Sequence, residues 1–328
     1  MYNSACPEGR SVISRRRTGL GDCLWSLAAA WSYARHTRRS LVVDWSESCY
    51  SADPNINLFP VLFDNINDIG GVSVHYVSRT SSLALESSVI PAWWRLPVKQ
   101  RGTRSDAQIF RERDELRNLF FSRRDADAAA VICDCCLMWC CDEDLEREFY
   151  DHLIVNQYVR QEVDRVYAER FLGNVVIGVH IRHGNGEDIL DHDRYWCEEN
   201  AAMNLVAHKI REERRKFPFR STKIFLCTDS PAVSEWFRRE MPGLFATEKE
   251  FRQRGEGELH SAHFGLGGAV AALVDMQLLS RCDVLIRYPP TSAFSRWPSL
   301  LVERVFDFDL ARGVFCQADR KAGGASSG

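Results

Sequence analysis

The sequence predicts an α/β protein of two domains, each built on a parallel sheet. Three observations carry this: a strand, helix, strand pattern opens the chain; apolar β-branched runs alternate with helical spacing through its second half; and 328 residues suffice for two separate cores. We expect an N-terminal domain over residues 1–168, a C-terminal domain over 169–320, and a flexible Gly/Ala/Ser-rich tail over 321–328.

Taken in order, Ser11, Val12, Ile13 and Ser14 form a short strand, followed by a basic, glycine-containing segment over residues 15–22. Leu24, Leu27, Ala28, Trp31 and Ala34 recur at helical spacing, and residues 41–44 supply the next strand. Residues 53–68, rich in Pro, Asn and Asp, read as loop, 72–77 and 129–139 as strands, and 111–120 as helix. A helix over 145–171 is expected to join the halves. The alternation then clears: strand 175–181, helix 194–217, strand 222–227, helix 232–239, helix 268–281, strand 283–287, and a helix starting near Trp297. Ligands of such sheets sit beyond the carboxyl ends of the strands, so the polar loops after Ile181, Cys227 and Arg287 are predicted to converge.

Composition narrows the function. Lys and Arg number 42 against 45 Asp and Glu, a net charge of −3, so no global basic field recruits nucleic acid or an anionic membrane. The N-terminus lacks the apolar core of a secretory signal, and the longest apolar stretch, 265–279, contains Asp275; a cytoplasmic protein without a transmembrane segment is the expectation. The twelve cysteines are then expected to be reduced. Five crowd into residues 133–141, but Cys135-Cys136 and Cys140-Cys141 are adjacent pairs without metal-ligand spacing, which favours a buried strand over a metal site.

The most informative stretch is the apolar run 175–179 ending abruptly in His180-Ile181-Arg182-His183-Gly184-Asn185-Gly186-Glu187-Asp188. A buried strand that delivers cations, glycines and acids to a loop suits a bound anion. Arg182 offers a planar fork for paired phosphate oxygens and His183 a further donor, unless Arg182 pairs with Glu187 or Asp188. His180, still inside the strand, is more often structural. Thr228-Asp229-Ser230 and Thr291-Ser292-Ala293-Phe294-Ser295 follow two further strands, and hydroxyls and amides ahead of the last helix suit phosphate, Ser295 being equally a helix N-cap. Asp275, on an otherwise apolar helix, needs a partner: either the N1 and N2 donors of guanine or a core cap or salt bridge. Gly19-Leu20-Gly21-Asp22 with Asp44 mimics part of a dinucleotide fingerprint, although Leu24 occupies the place of the third glycine.

Together, His180-x-Arg182-His183-Gly184-Asn185, Cys227-Thr228-Asp229-Ser230, Leu273-Val274-Asp275 and Thr291-Ser292-Ala293-Phe294-Ser295 resemble the GDP-fucose-dependent α1,6-fucosyltransferases, most closely their rhizobial nodulation branch. The Gly19-Leu20-Gly21 turn matches in place, and the resemblance spans essentially the whole chain. It implies a GT-B architecture, two Rossmann-like domains facing across a cleft, with the donor bound by the C-terminal half and the acceptor helped by the N-terminal half. It also implies that Arg182 contacts the diphosphate, that Ser292, Phe294 and Ser295 cradle it, and that Asp275 reads guanine. Gly19, Leu20, Gly21, His180, His183, Gly184, Asn185, Thr228 and Asp229 complete the implied donor site. Asn185 stands where animal relatives often carry an acid. The implied acceptor is a lipo-chitooligosaccharide nodulation factor, fucosylated at O6 of its reducing-end N-acetylglucosamine with inversion.

Glu187 or Asp188 is the expected general base, with Asp191 a further candidate. No metal or other cofactor is expected: Asp-x-Asp pairs occur at Asp125/Asp127, Asp142/Asp144, Asp191/Asp193 and Asp307/Asp309, but cationic side chains can take the place of a divalent ion on the diphosphate. Trp93 and Trp94 suit either sugar stacking or the core. Three readings compete: a nicotinamide-dependent oxidoreductase using Gly19, Gly21 and Asp44; a GT-B fucosyltransferase acting on another glycan; and a metal-binding module at residues 133–141.

Overall fold

The structure, a computed structural model, describes residues 9–77, 88–95, 105–135, 137, 140–183, 199–251, 263–309 and 312–318. The chain divides into two compact units, residues 1–157 and 158–328.

The first unit runs β1 (Ser11–Ser14), α1 (Leu20–Thr37), β2 (Ser40–Val43), the short α2 (Phe59–Leu62), β3 (Asp68–Ile69), β4 (Val72–Tyr76), β5 (Val89–Ile90), a 3-10 turn (Ala92–Arg95), α3 (Asp106–Ser122), β6 (Ala130–Cys133) and α4 (Glu143–Asp151). Its sheet has the order β3-β4-β2-β1-β6-β5, with only β3 antiparallel to its neighbour. β1 and β6 are buried along their whole length, which is why the apolar pairs Val12-Ile13 and Val131-Ile132 stand side by side rather than alternating with polar residues. Helix α1 is buried on nearly every side and stops at Arg38, whose φ of 58° is left-handed. Ser105 and Gln108 form a capping box that starts α3.

Three expectations need correction. Residues 59–62, foreseen as part of a loop over 53–68, form the short α2. The strand foreseen over 129–139 is confined to Ala130–Cys133. The single helix foreseen over 145–171 is two helices, α4 and α5 (Gln157–Val166), followed by a π turn at Tyr167–Phe171. Its apolar spacing is continuous, but the backbone between the two helices bonds elsewhere: the Ile154 amide donates to Asn65 Oδ1 at 2.7 Å and the Asn156 amide to the Leu62 carbonyl at 2.8 Å.

The second unit continues with β7 (Val175–Ile181), α6 (Glu199–Arg215), β8 (Thr222–Thr228), α7 (Pro231–Glu240), β9 (Leu244–Phe245), α8 (Gly265–Leu279), β10 (Val284–Tyr288), a 3-10 turn (Ala293–Ser295), α9 (Arg296–Leu301), β11 (Arg304–Asp309) and β12 (Val314–Gln317). The sheet order is β9-β8-β7-β10-β11-β12, with only β12 antiparallel. Counted from β7, this is the strand order of dinucleotide-binding folds, and it reverses between β7 and β10. One face packs Val179, Leu226 and Ile286 against Val206, Ile210 and Phe237 of α6 and α7. On the other face Gly178 admits the end of α8: a Cβ there would lie 2.7 Å from Cys282 Sγ and 3.1 Å from Leu279 Cδ2.

Register places four polar side chains on that second face. His180 pairs with Cys227 of β8 and with Arg287 of β10, and Arg287 pairs with Asp307 of β11. Cys227, His180, Arg287 and Asp307 therefore form one row across four strands, at the carboxyl edge of the sheet where the order reverses.

Candidate functional site

The reversal point is furnished by the ends of β7, β8 and β10. The Arg182 amide donates to the Tyr288 carbonyl at 2.9 Å, tying the loop after β7 to the end of β10. Arg182 Nη1 donates to Asp229 Oδ2 at 2.6 Å, and the His183 amide donates to Asp229 Oδ1 at 2.7 Å. Arg182 thus has a carboxylate partner in the loop after β8. Asp229 holds both the arginine and the backbone beside it, and an anionic group so placed orients the cation rather than meeting phosphate itself.

The hydroxyls are partly engaged by local turns. Thr228 Oγ1 accepts from the Ser230 amide at 3.2 Å, and Ser230 Oγ caps α7 by accepting from the Val233 amide at 3.4 Å. Ser295 is fully buried and occupies the N-cap position of α9, yet its hydroxyl makes no cap bond and donates back to the Ser292 carbonyl at 3.4 Å. Phe294 stacks on the His180 ring, 5.0 Å between centroids at 20°. Burial drives the His180 imidazolium down to a pKa of about 3, against the pull of Asp229 and with the push of Arg182 and Arg287, so the ring is neutral at ordinary pH. Its Nδ1 is buried without a hydrogen-bond partner among the described residues.

Asp275 is buried in α8. Its Oδ1 accepts from Thr247 Oγ1 at 2.6 Å and its Oδ2 from Lys249 Nζ at 2.8 Å, both from the segment after β9. Burial lowers the Lys249 pKa, but Asp275, Cys227 and Asp229 outweigh it and leave the ammonium above its ordinary value. Burial and the neighbouring Asp275 push the Cys227 thiol well up, so it is protonated and unreactive. At the other end of the row Arg287 grips Asp307 with two bonds of 2.6 Å. Thr247, Lys249 and the Arg287–Asp307 pair are absent from the sequence reading. Only strand register and a contact across the sheet reveal them, and Asp307 carried merely the weak signal of an Asp-x-Asp pair.

Gly184, Asn185, Glu187, Asp188 and Asp191 lie outside the described residues. So does Cys136 of the cysteine cluster; Cys133 ends β6, Cys140 and Cys141 are buried, and among the described residues no three His, Cys, Asp or Glu side chains are grouped to hold a metal ion.

Gly19, Leu20 and Gly21 belong to the first unit and are described by themselves. Gly19 is the N-cap of α1, and the Leu20 amide, the first of the helix, donates to the Tyr50 hydroxyl at 3.2 Å. Asp44, fully buried, accepts from Arg15 Nε at 2.9 Å, and Arg15 also reaches Glu47 at 2.9 Å and lies 4.9 Å over the Trp94 ring. A dinucleotide reader needs that acid open to a ribose hydroxyl, whereas here it neutralises an internal arginine. Trp94 is core; its neighbour Trp93 is half-buried, with ring centroids 4.5 Å apart.

Comparison with known proteins agrees in extent with this architecture. The profile of the nodulation protein Z (NodZ) family matches residues 8–326. A nodulation protein Z of Sinorhizobium fredii is 46% identical over 310 residues, 94% of each chain. Among solved structures, a fucosyltransferase NodZ from Bradyrhizobium superposes with a TM-score of 0.82 at 41% identity, covering 96% of this chain and all of that one. A NodZ α-1,6-fucosyltransferase soaked with GDP-fucose gives 0.81 at 42% identity, with the same coverage. The two Rossmann-like units are of the GT-B type, and among the described residues no helix is long and apolar enough to cross a membrane. Matched over almost its whole length, the chain belongs to the nodulation protein Z family, a family of fucosyltransferases.

Proposed function

We propose that this chain is an inverting α1,6-fucosyltransferase that moves L-fucose from GDP-β-L-fucose to O6 of the reducing-end N-acetylglucosamine of a chitooligosaccharide nodulation factor. The observation that carries the reading is the Arg182–Asp229 pair at the strand-order reversal, where a parallel sheet of this order takes the phosphates of a nucleotide. A relative 42% identical over nearly the whole chain was solved after soaking with GDP-fucose, which supports the donor.

The chemistry follows from charge. As the acceptor O6 forms its bond to fucose C1, the bond from C1 to the β-phosphate oxygen breaks, and its electron pair leaves with GDP. Negative charge grows on the phosphate, and a guanidinium already fixed by Asp229 stabilises it without reorganising. The O6 proton passes to a carboxylate, for which Glu187 and Asp188 are the candidates. His180, neutral and buried, is not that base. Ser292, Phe294 and Ser295 complete the phosphate side, and Asp275 faces guanine.

In this reading the reaction needs no divalent ion. Arg182 supplies the charge, and the described Asp-x-Asp pairs already have arginine partners: Asp125 with Arg39 at 2.7 Å, Asp142 with Arg123, and Asp307 with Arg287. Activity is expected to survive a chelator; its abolition and recovery with Mn²⁺ would overturn this part.

Calorimetry with GDP and with NAD tests the donor: GDP is expected to bind and NAD to leave no heat. Incubation with GDP-fucose and chitooligosaccharides, with NMR of the product, tests acceptor, position and anomeric outcome together. Fucose appearing on another glycan and never on chitooligosaccharides would remove the acceptor while leaving the donor intact.

A further inference from the structure

The pair formed by Lys249 and Asp275 has a use beyond neutralising a buried charge. Both oxygens of Asp275 are engaged by one segment, Oδ1 by Thr247 and Oδ2 by Lys249, and a carboxylate keeps a second acceptor direction on each oxygen. Two parallel acceptors match the adjacent N1–H and N2–H donors of guanine. They mismatch adenine, whose N1 is itself an acceptor. That match holds only while Asp275 carries no proton: a protonated carboxyl, with one donor and one acceptor, is complementary to adenine instead.

We propose that Lys249 is a specificity-determining positioning residue, holding Asp275 as an oriented carboxylate so that a guanine nucleotide is selected over an adenine one. The inference rests on the reading that Asp275 faces the base of the donor. Other groups around the pair do not replace the ammonium. Cys227 is a neutral thiol, His180 is a neutral ring, Asp229 is an anion, Arg182 is paired with that anion, and Arg287 is gripped by Asp307. Among the described residues Lys249 is the cation in direct contact with Asp275, with a side chain 15% exposed beside one that is 4% exposed. Its removal takes away the ammonium that holds Oδ2, leaving Oδ1 on Thr247 and the carboxylate no longer fixed in orientation.

The test is GDP and ADP binding by calorimetry in the full chain and in Lys249→Met, Lys249→Arg and Asp275→Asn. For Lys249→Met we expect GDP affinity to fall by roughly ten- to a hundredfold relative to the parent, with the preference for GDP over ADP shrinking alongside it. Lys249→Arg is expected to keep both the affinity and the preference. A merely structural lysine would lower both affinities together and leave their ratio unchanged, and that result overturns the proposal. If Asp275→Asn keeps the parental preference, Asp275 does not read the base, and the underlying reading fails instead. Should the Met variant not fold, Lys249→Gln, uncharged but polar, carries the same expectation.

Discussion

Asp229 fixes Arg182 twice over: one carboxylate oxygen holds the guanidinium at 2.6 Å, while the other holds the amide of the next residue, His183, at 2.7 Å. Side chain and backbone are thereby oriented from a single point on a neighbouring strand end. Arg182→Ala is expected to lower kcat about a hundred- to a thousandfold, as for loss of one preorganised charge donor. Asp229→Asn should cost less, about tenfold, and the double variant should be no worse than Arg182→Ala alone, because the two act as one unit. Steady-state kinetics of the four proteins decide it; additive losses would show that Asp229 has a separate task.

His180 predicts a pH dependence of stability. Its pKa is lowered in the folded protein to about 3, so between the unfolded value of about 6.5 and that limit the unfolded chain binds a proton that the native chain does not. Stability from this residue is present above about pH 6.5 and is lost as the pH falls towards 3. His180→Phe, which keeps an aromatic ring against Phe294, should flatten this acid limb, by about 3 kcal/mol at most at pH 4. Denaturant unfolding of both proteins at pH 7 and pH 4 measures it; identical slopes would mean that His180 is protonated in the folded state.

Arg15 and Asp44 form a buried ion pair at the carboxyl edge of the first sheet, 5% and 0% exposed. Arg15→Ala removes the ion pair from the buried Asp44 and should destabilise the first unit by about 3–5 kcal/mol. Arg15→Ala/Asp44→Ala should recover part of that loss. Thermal unfolding is the readout, and a shift on adding NAD to the parent protein would reopen the dinucleotide reading.

Gly178 marks the place where α8 meets the sheet. Gly178→Ala forces its methyl against Cys282 Sγ and Leu279, and overpacking of this kind costs about 1–3 kcal/mol. Cys282→Ala should relieve part of it, since the thiol is the nearest atom. Because α8 carries Asp275, GDP affinity is expected to fall in the single variant and recover in the double; stability recovering without affinity would separate packing from the site.

The legible elements were those whose cause is local. β7, β8 and β10 are unbroken apolar runs with abrupt polar ends, and α1 announces itself by spacing. The two-residue strands β3, β5 and β9 are too short to carry a period, and β11 and β12 went unread although Arg304–Asp309 alternates. Arg182, Asp275 and the Ser292 to Ser295 turn stood out as polar residues in unusual company. Their partners did not. Asp229 appeared as a ligand rather than an orienting group, and Lys249 and Arg287 take their meaning from contacts made only after the sheet has closed.

The row of Cys227, His180, Arg287 and Asp307 is set by strand pairing and owes nothing to the length of any loop. Insertions and deletions in the connections of the second unit can therefore accumulate over generations without disturbing it. One residue gained or lost inside β7, β8, β10 or β11 is another matter. It turns that strand's polar member into the apolar layer beneath α6 and α7; a loss brings Ile181, Thr228, Tyr288 or Phe308 up in its place, and a gain brings Val179, Leu226, Ile286 or Phe306. Descent within this family is expected to hold four strand lengths fixed, and to vary the connections away from the strand ends that carry Arg182, Asp229 and Ser292 to Ser295.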